Sequence, residues 1–333
     1  MSEGHPETQG QKSIFKLFFL FLILGFTVYH QSLFNGFVWD DTDQIFNTHI
    51  GNTVDNITRF FLGFHFKIRN MDMPVGGYEV YYKPLFYTTL AILYGLIGKN
   101  ALFFHLFQIL LHSVNAFLVF ILFCYFFRKN ISFVLALLFL IHPINSEAVL
   151  YISALQEPLF LFFGSMGFIV LNVNNISNKR LLIGGLLILL SLFSKETGIL
   201  FLVITGLFHF LYRRLTVFKI IWTDALVLGV YIMMRFFMAN VSFTKLAYVP
   251  IVKLSLVQRL YTVPEIIFYY IKTFFYPKDL TISQHWVVNS PSVTMFYMPL
   301  FLDILFLFIL ISFGIYCWKY SKESLKPYLF FTL

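Results

Sequence analysis

Charged residues are scarce in this sequence. Asp, Glu, Lys and Arg together supply 12% of the 333 residues, whereas soluble domains typically carry about 25%. So few charges cannot cover the chain with a solvated surface, which excludes an ordinary soluble protein. Cysteine is also rare, because Cys124 and Cys317 are the two in the chain and both lie in apolar runs. A disulfide framework is therefore excluded.

Long apolar runs take the place of the missing charges. Apolar residues make up 59% of the chain, with 45 Phe and 19 Tyr, and the mean hydropathy is +0.77. A chain of this length has room for roughly eight spans of about 20 residues. We therefore predict an all-α polytopic membrane protein with about seven to eight transmembrane helices and juxtamembrane helices at the outer face.

The distribution of basic residues predicts the orientation of these helices. The formal charge of +8 comes from short basic clusters between apolar runs, a pattern that indicates membrane topology rather than nucleic-acid binding. We expect a polar cytosolic tail at 1–13 and a membrane domain at 14–333, with outer loops at 31–100 and 240–296. The predicted membrane segments are 14–30, 101–127, 131–150, 153–171, 181–212, 217–238 and 297–318.

Two shorter apolar segments are expected at the membrane surface. The run 84–97 is too short for a straight span, and placing it on the outer face keeps the basic clusters on the inside. A second interfacial helix is predicted around 259–275. The apolar run that begins near Pro327 suggests that the sequence is part of a longer protein.

Two adjacent acidic residues, Asp40 and Asp41, follow the first span. They could be an ordinary solvated loop pair. Alternatively, if both project into an aqueous pocket at the outer rim, one of them could act as a general base that deprotonates an acceptor hydroxyl. The pair could also hold a divalent cation, although no metal site is predicted.

Several cationic residues stand near apolar runs and could bind a lipid phosphate as point charges. These candidate phosphate ligands are Lys83, Lys195, Arg235 and His285. Lys195 and Glu196 divide the run 181–212 into two short halves, and an internal salt bridge between them is the alternative interpretation.

Further acidic and polar residues are predicted to support this site. His142 and Glu147 flank Pro143, which should end a helix, so helix capping is their simpler role. Glu157 stands beside Pro158 at the start of the next apolar run. A carboxylate base beside cationic phosphate ligands is what glycosyl transfer from a lipid phosphate requires.

An ordered set of motifs resembles the transmembrane and tetratricopeptide-repeat O-mannosyltransferases and their bacterial relatives, within the GT-C superfamily. The motifs are Asn35-Gly36-Phe37-Val38-Trp39-Asp40-Asp41-Thr42-Asp43-Gln44-Ile45-Phe46-Asn47, Tyr82-Lys83-Pro84-Leu85, Phe104-His105-Leu106, Leu110-Leu111-His112, His142-Pro143-Ile144-Asn145-Ser146-Glu147-Ala148-Val149, Ser194-Lys195-Glu196-Thr197 and the stretch from Tyr270 to Pro277. The family often has Ser-Gly-Arg-Ala-Asp or Ser-Gly-Arg-Ala-Glu where this chain has Ser153-Ala154-Leu155-Gln156-Glu157. The acid is therefore kept and the arginine is absent.

The resemblance implies a GT-C-type bundle and an inverting hexosyltransferase. The implied donor is a polyprenyl- or dolichyl-phosphate-linked hexose, usually mannose, and the acceptor is a hydroxyl of a protein or envelope polymer. The implied catalytic site is the acidic pair, with Asp41 favoured over Asp40. The active site would face the periplasm or lumen, with a bacterial inner membrane favoured over the endoplasmic reticulum.

Two other function classes fit parts of the sequence. A transporter or flippase of a lipid-linked intermediate would also use membrane-embedded charges, but it would more often place its carboxylates at the bilayer midplane. A scaffolding membrane protein would carry no chemistry, and neutralising Lys195, Asp41 or Glu157 would then affect stability alone.

Overall fold

In the computed structural model, the regular secondary structure of the described residues is all helical. The structure describes residues 6–42, 44–45, 53–62, 82–239, 250–278, 280–281 and 287–332, with side chains from residue 14 onward except at 53–56. The α-helices of this part are α1 (Pro6–Tyr29), α2 (Asp40–Thr42), α3 (Thr53–Phe61), α4 (Pro84–Ile97), α5 (Ala101–Phe123), α6 (Lys129–Ile141), α7 (Ser146–Leu150), α8 (Gln156–Leu171), α9 (Asn178–Ser194), α10 (Ile199–Tyr212), α11 (Val217–Ile232), α12 (Leu256–Phe275), α13 (Met298–Tyr320) and α14 (Lys322–Thr332).

Apolar helices long enough to cross a bilayer confirm an integral membrane architecture. Five apolar helical stretches of the described chain are long enough to cross a bilayer, namely Ile14–Phe34, Ala101–Phe123, Ile152–Leu171, Val217–Met238 and Val293–Tyr320. The pair Lys129–Ile141 and Pro143–Leu150 would make a sixth span, bent by 49°. Two shorter apolar helices, Pro84–Ile97 and Glu196–Tyr212, fall below this length.

Several predicted boundaries are confirmed and others are shifted. The predicted 84–97 segment coincides with α4, and α12 covers the predicted helix around 259–275. The first helix begins at Pro6, inside the predicted polar tail, and α5 ends at Phe123, four residues before the predicted 127.

The chain forms two compact units, Met1–Ser242 and Phe243–Leu333. In the first unit, α5 packs against α1, α6 and α8, and α8 packs along α9. One buried cluster joins α1, α5 and α6 through Phe21, Phe120 and Leu140. A second cluster joins α4, α5 and α8 through residues that include Phe86 and Phe104. In the second unit, α12 and α14 pack against α13.

Glycine allows α8 and α9 to approach each other closely. A Cβ atom on Gly167 would lie 2.7 Å from Cγ1 of Ile188 and 3.1 Å from the carbonyl oxygen of Gly184. Small residues at such contacts are the usual way for membrane helices to pack. This contact packs the second half of α8 against the middle of α9.

The bend at Pro143 confirms the predicted end of a helix. Carbonyl oxygens freed at the break still have partners, because the Tyr29 hydroxyl and His112 Nε2 lie 2.9 and 3.0 Å from the carbonyl oxygen of Leu140. The Asn145 amide donates to the carbonyl of Phe139 at 2.7 Å. Backbone groups within a membrane need such internal partners.

Candidate active site

The chain makes a tight turn after the first span, and this turn carries the acidic pair. The amide of Asp41 donates to the carbonyl of Val38 at 3.0 Å, and the amide of Thr42 donates to the carbonyl of Trp39 at 3.3 Å. Trp39, which lies in this turn, has a φ of 51°. A bulky residue rarely adopts this left-handed conformation, so the turn holds strained backbone directly before Asp40.

Asp41 is fully buried and its carboxylate accepts three hydrogen bonds. Oδ1 accepts from the backbone N–H of Ser153 at 2.7 Å and from the Ser153 hydroxyl at 2.6 Å. Oδ2 accepts from the N–H of Val38 at 3.0 Å. Burial raises the pKa of Asp41, while these donors and the nearby His105 act in the opposite direction. Asp41 therefore joins its turn to a loop far along the chain.

Asp40 lies in a different environment. Its side chain is exposed, and its backbone N–H donates to the hydroxyl of Tyr151 at 3.2 Å. The expectation that both carboxylates project into an aqueous pocket is wrong for Asp41, because backbone and hydroxyl donors surround that carboxylate away from solvent. Asp40 is the member of the pair whose carboxylate solvent can reach.

The loop that receives the acidic turn is anchored to the centre of the bundle. Gln108, buried in α5, donates to the carbonyls of Ala148 at 3.1 Å and Tyr151 at 2.8 Å. The Ala148 carbonyl lies in α7, and the Tyr151 carbonyl lies in the irregular stretch between α7 and α8, where the regular helical bonds are interrupted. Because α5 satisfies them, it also fixes the positions of Tyr151 and Ser153.

A second polar region begins three residues after Ser153, at the first turn of α8. Lys195 has an extended backbone at the break between α9 and α10, and its ammonium group forms a salt bridge with Glu157. The predicted division of 181–212 into two halves is therefore confirmed. Three Cα steps of about 3.8 Å keep Ser153 within about 11 Å of Gln156.

Glu196, the neighbour of Lys195, forms its salt bridge with a different helix. Its Oε1 lies 3.0 Å from Nη1 of Arg235, which also donates to the Tyr231 hydroxyl at 2.9 Å. Arg235 is buried in a π-helical segment, Met233–Met238, that follows α11. The alternative of a salt bridge between Lys195 and Glu196 is therefore wrong, because each residue pairs with a different helix.

Lys83 completes this polar region from the N-terminus of α4. Its Nζ donates to Oε1 of Gln156 at 2.7 Å. Burial lowers the pKa of Lys83, and the charges of Glu196, Lys195 and Glu157 also act on it. We call Lys83, Glu157, Lys195, Glu196 and Arg235 the charged cluster.

The remaining predicted site residues are Glu147, His142 and His285. Glu147 is exposed but close enough to Glu157 and Lys195 for electrostatic interaction. His142 caps the short turn Pro143–Asn145, since its Nδ1 lies 3.2 Å from the amide of Ile144. His285 lies outside the described residues. The structure thus brings Lys83, Lys195 and Arg235 together and gives His142 a capping contact.

Sequence reasoning missed several polar contacts of this site. Ser153, Tyr151, Gln156 and Tyr231 all contact a predicted site residue. The resemblance covers Ser153 and Gln156, but nothing in their residue types indicated a role. Within the described part of the chain, no group of three or more His, Cys, Asp or Glu side chains is arranged to hold a metal ion.

Comparison with curated proteins shows what this chain is similar to. The chain is 29% identical over 219 residues to a Caenorhabditis elegans protein named protein O-mannosyl-transferase F38B6.6. The matched region is 63% of this chain and 30% of the relative, so the chain spans less than a third of that protein. No protein-family model matches the chain, and no solved structure matches it.

Proposed function

We propose that this chain carries the membrane domain of a glycosyltransferase. It transfers a hexose, mannose in the first instance, from a polyprenyl- or dolichyl-phosphate carrier to a hydroxyl of a protein or envelope polymer. The observation that carries the proposal is the docking of the acidic turn onto the loop that leads into the charged cluster. The name of the similar C. elegans protein supports the choice of sugar and acceptor.

Asp40 is assigned as the general base. Its exposed carboxylate can reach a hydroxyl arriving from solvent, whereas Asp41 already accepts three hydrogen bonds in a buried position. The base takes the hydroxyl proton while the acceptor oxygen forms a bond to the anomeric carbon. The bond from that carbon to the phosphate oxygen breaks, and its electron pair leaves with the lipid phosphate. Attack opposite the leaving group inverts the anomeric centre.

Asp41 is assigned a positioning role. Its bonds to Val38 and Ser153 hold the turn that presents Asp40. The hydroxyl of Tyr151 holds the backbone of Asp40 from the same loop. The orientation of the base therefore depends on contacts between two segments that α5 brings together.

The charged cluster is assigned to the donor phosphate. Lys83, Lys195 and Arg235 supply three cationic groups, and Glu157, Glu196 and the nearby Glu147 carry the opposing charges. A sugar phosphodiester carries a single negative charge, which these cations can contact. The same cations would stabilise the charge that builds on the phosphate as it leaves.

The basic residues at the opposite helix ends support a periplasmic or luminal site. Lys179 lies sixteen residues before Lys195 along α9, which corresponds to about 24 Å of helix. Arg128 and Lys129, at the start of α6, are likewise separated from the docking loop by the length of that helix. If these basic ends are cytosolic, the acidic turn faces the other side. In this arrangement, α9 and α10 add two spans to the six that length allows, within a GT-C-type bundle.

Transfer by purified protein tests the proposal. Full-length protein in nanodiscs is given polyprenyl-phosphate-mannose and a synthetic Ser/Thr peptide, and the expected product is the mannosylated peptide. The double Asp40→Asn, Asp41→Asn variant should make no product. A flippase would instead move labelled lipid across a vesicle bilayer without forming glycopeptide. Wild-type protein that moves lipid without transferring sugar would refute the enzyme assignment.

A further inference from the structure

Trp39 combines two properties that rarely occur together. Its φ of 51° places a bulky side chain in the left-handed region, which is a genuine outlier for such a residue. Its side chain nevertheless remains 61% exposed, so the burial of the ring does not explain the conformation. Backbone strain maintained by surrounding contacts tends to occur at functional sites.

The contacts around Trp39 hold it beside Asp40. The carboxylate of Asp41 accepts from the residue before Trp39, Val38, at 3.0 Å. The indole lies 6.5 Å from the ring of Tyr151, measured between centroids and tilted by 38°. The hydroxyl of that same tyrosine accepts from the Asp40 amide. Tyr151 thus contacts both the indole and the backbone of the residue that carries the neighbouring carboxylate.

We propose that Trp39 binds the acceptor polypeptide, with its indole packed against the segment that carries the reacting hydroxyl. The inference rests on the proposed function and extends it, because it names a residue that determines acceptor binding. Tryptophan is one of the side chains that are enriched at energetic hot spots of protein interfaces. It supplies a large, rigid contact surface with little loss of conformational freedom.

The location of the indole favours the acceptor over the lipid donor. The cations assigned to the phosphate come from the N-terminus of α4, the α9–α10 break and the π-helical segment after α11, where Arg235 is buried. Trp39 instead lies on the exposed turn that carries the base. An interfacial anchor is the other common use of an exposed tryptophan near a span, but an anchor does not require a left-handed backbone.

Two substitutions separate the indole from the backbone strain. Trp39→Gly removes the ring and suits the positive φ, because glycine adopts this region freely. Trp39→Ala removes the ring and keeps the strain. Phe34→Ala is the matched control, since Phe34 is an exposed aromatic side chain, at 84%, at the end of the same span.

Initial rates of full-length protein in nanodiscs are measured with a synthetic Ser/Thr peptide and polyprenyl-phosphate-mannose, each varied in turn. Both Trp39 variants should raise the KM for peptide by at least about tenfold and leave the KM for donor unchanged. Phe34→Ala should change neither constant, and Trp39→Gly should not lower the melting temperature.

Three results would overturn the inference while leaving the proposed function intact. They are an unchanged KM for peptide in both Trp39 variants, a rise confined to the KM for donor, and an equal loss of activity in Phe34→Ala, which would indicate membrane anchoring. Failure of the wild type to transfer sugar in the same assay would instead refute the proposed function, and the inference with it.

Discussion

Replacing Asp41 by asparagine should weaken the folded protein as well as its activity. The asparagine oxygen can still accept from the amide and hydroxyl of Ser153, which lie 2.7 and 2.6 Å from the present Oδ1. Its amide group, however, would then face the N–H of Val38, which now donates to Oδ2 at 3.0 Å. Two donors would oppose each other, and the partly buried N–H of Val38 would lose its acceptor.

The size of the effect follows from the bonds that are lost. One buried donor left without an acceptor costs about 1–3 kcal/mol. Asp41→Ala removes the acceptor for all three donors and should cost at least about 3 kcal/mol. For domains of 150–250 residues, each kcal/mol corresponds to roughly 2–4 °C in melting temperature. We therefore expect Asp41→Ala to melt several degrees below the wild type, and Asp41→Asn to melt between the two because it also removes a buried negative charge.

Thermal unfolding of the purified variants in one detergent measures the order of their melting temperatures. Asp40→Asn is the matched control, because the exposed Asp40 side chain should tolerate the change with an unchanged melting temperature. A double-mutant cycle with Ser153→Ala should show coupling between Asp41 and Ser153. Melting temperatures for Asp41→Ala and Asp41→Asn equal to that of the wild type would refute the positioning role.

Three other substitutions test the charged cluster and the helix packing. Burial lowers the pKa of Lys83, so rising pH should remove its charge, and thereby raise the KM for donor, at a lower pH than for an ordinary lysine. In Lys83→Arg, whose guanidinium stays charged, this rise in KM should move to higher pH. Identical pH profiles of the KM in the two proteins would contradict the assignment of Lys83 to the donor phosphate. Glu196→Gln should lower the KM for donor, because it removes a carboxylate that competes with the donor phosphate for Arg235, and it should also lower the melting temperature. A raised KM for donor would argue against a phosphate site. Gly167→Val should impair folding, measured as the yield of monodisperse protein, because its Cβ would lie 2.7 Å from a side-chain atom of α9. Gly229→Ala is the control and should be tolerated, because a Cβ at Gly229 would have no atom within 4 Å.

The sequence made much of the architecture predictable. Apolar runs of spanning length gave the membrane helices, and Pro143 marked a real bend, because proline cannot continue the regular helical bonding. The charges of Lys195 and Glu196 marked the break between α9 and α10, since charges inside an apolar run need a polar environment.

The detailed contacts of the site could not be predicted from local sequence. Asp40 and Asp41 are neighbours of the same type, and the Ser153 amide, 112 residues away, decides which of them is buried. Lys195 and Glu196 are also neighbours, but the extended backbone at Lys195 directs successive side chains to opposite sides. Each of them therefore pairs with a different helix, and tertiary packing alone sets those partners.

The single-turnover rate of Asp40→Asn most directly tests the proposal that the exposed carboxylate of the acidic turn drives sugar transfer. Donor affinity and the transfer rate are measured separately, with polyprenyl-phosphate-mannose and a saturating Ser/Thr peptide. We expect donor affinity and melting temperature to match the wild type while the rate falls by about 10²-fold or more, the range for loss of a general base. A rate equal to that of the wild type, with donor bound normally, would contradict the assignment.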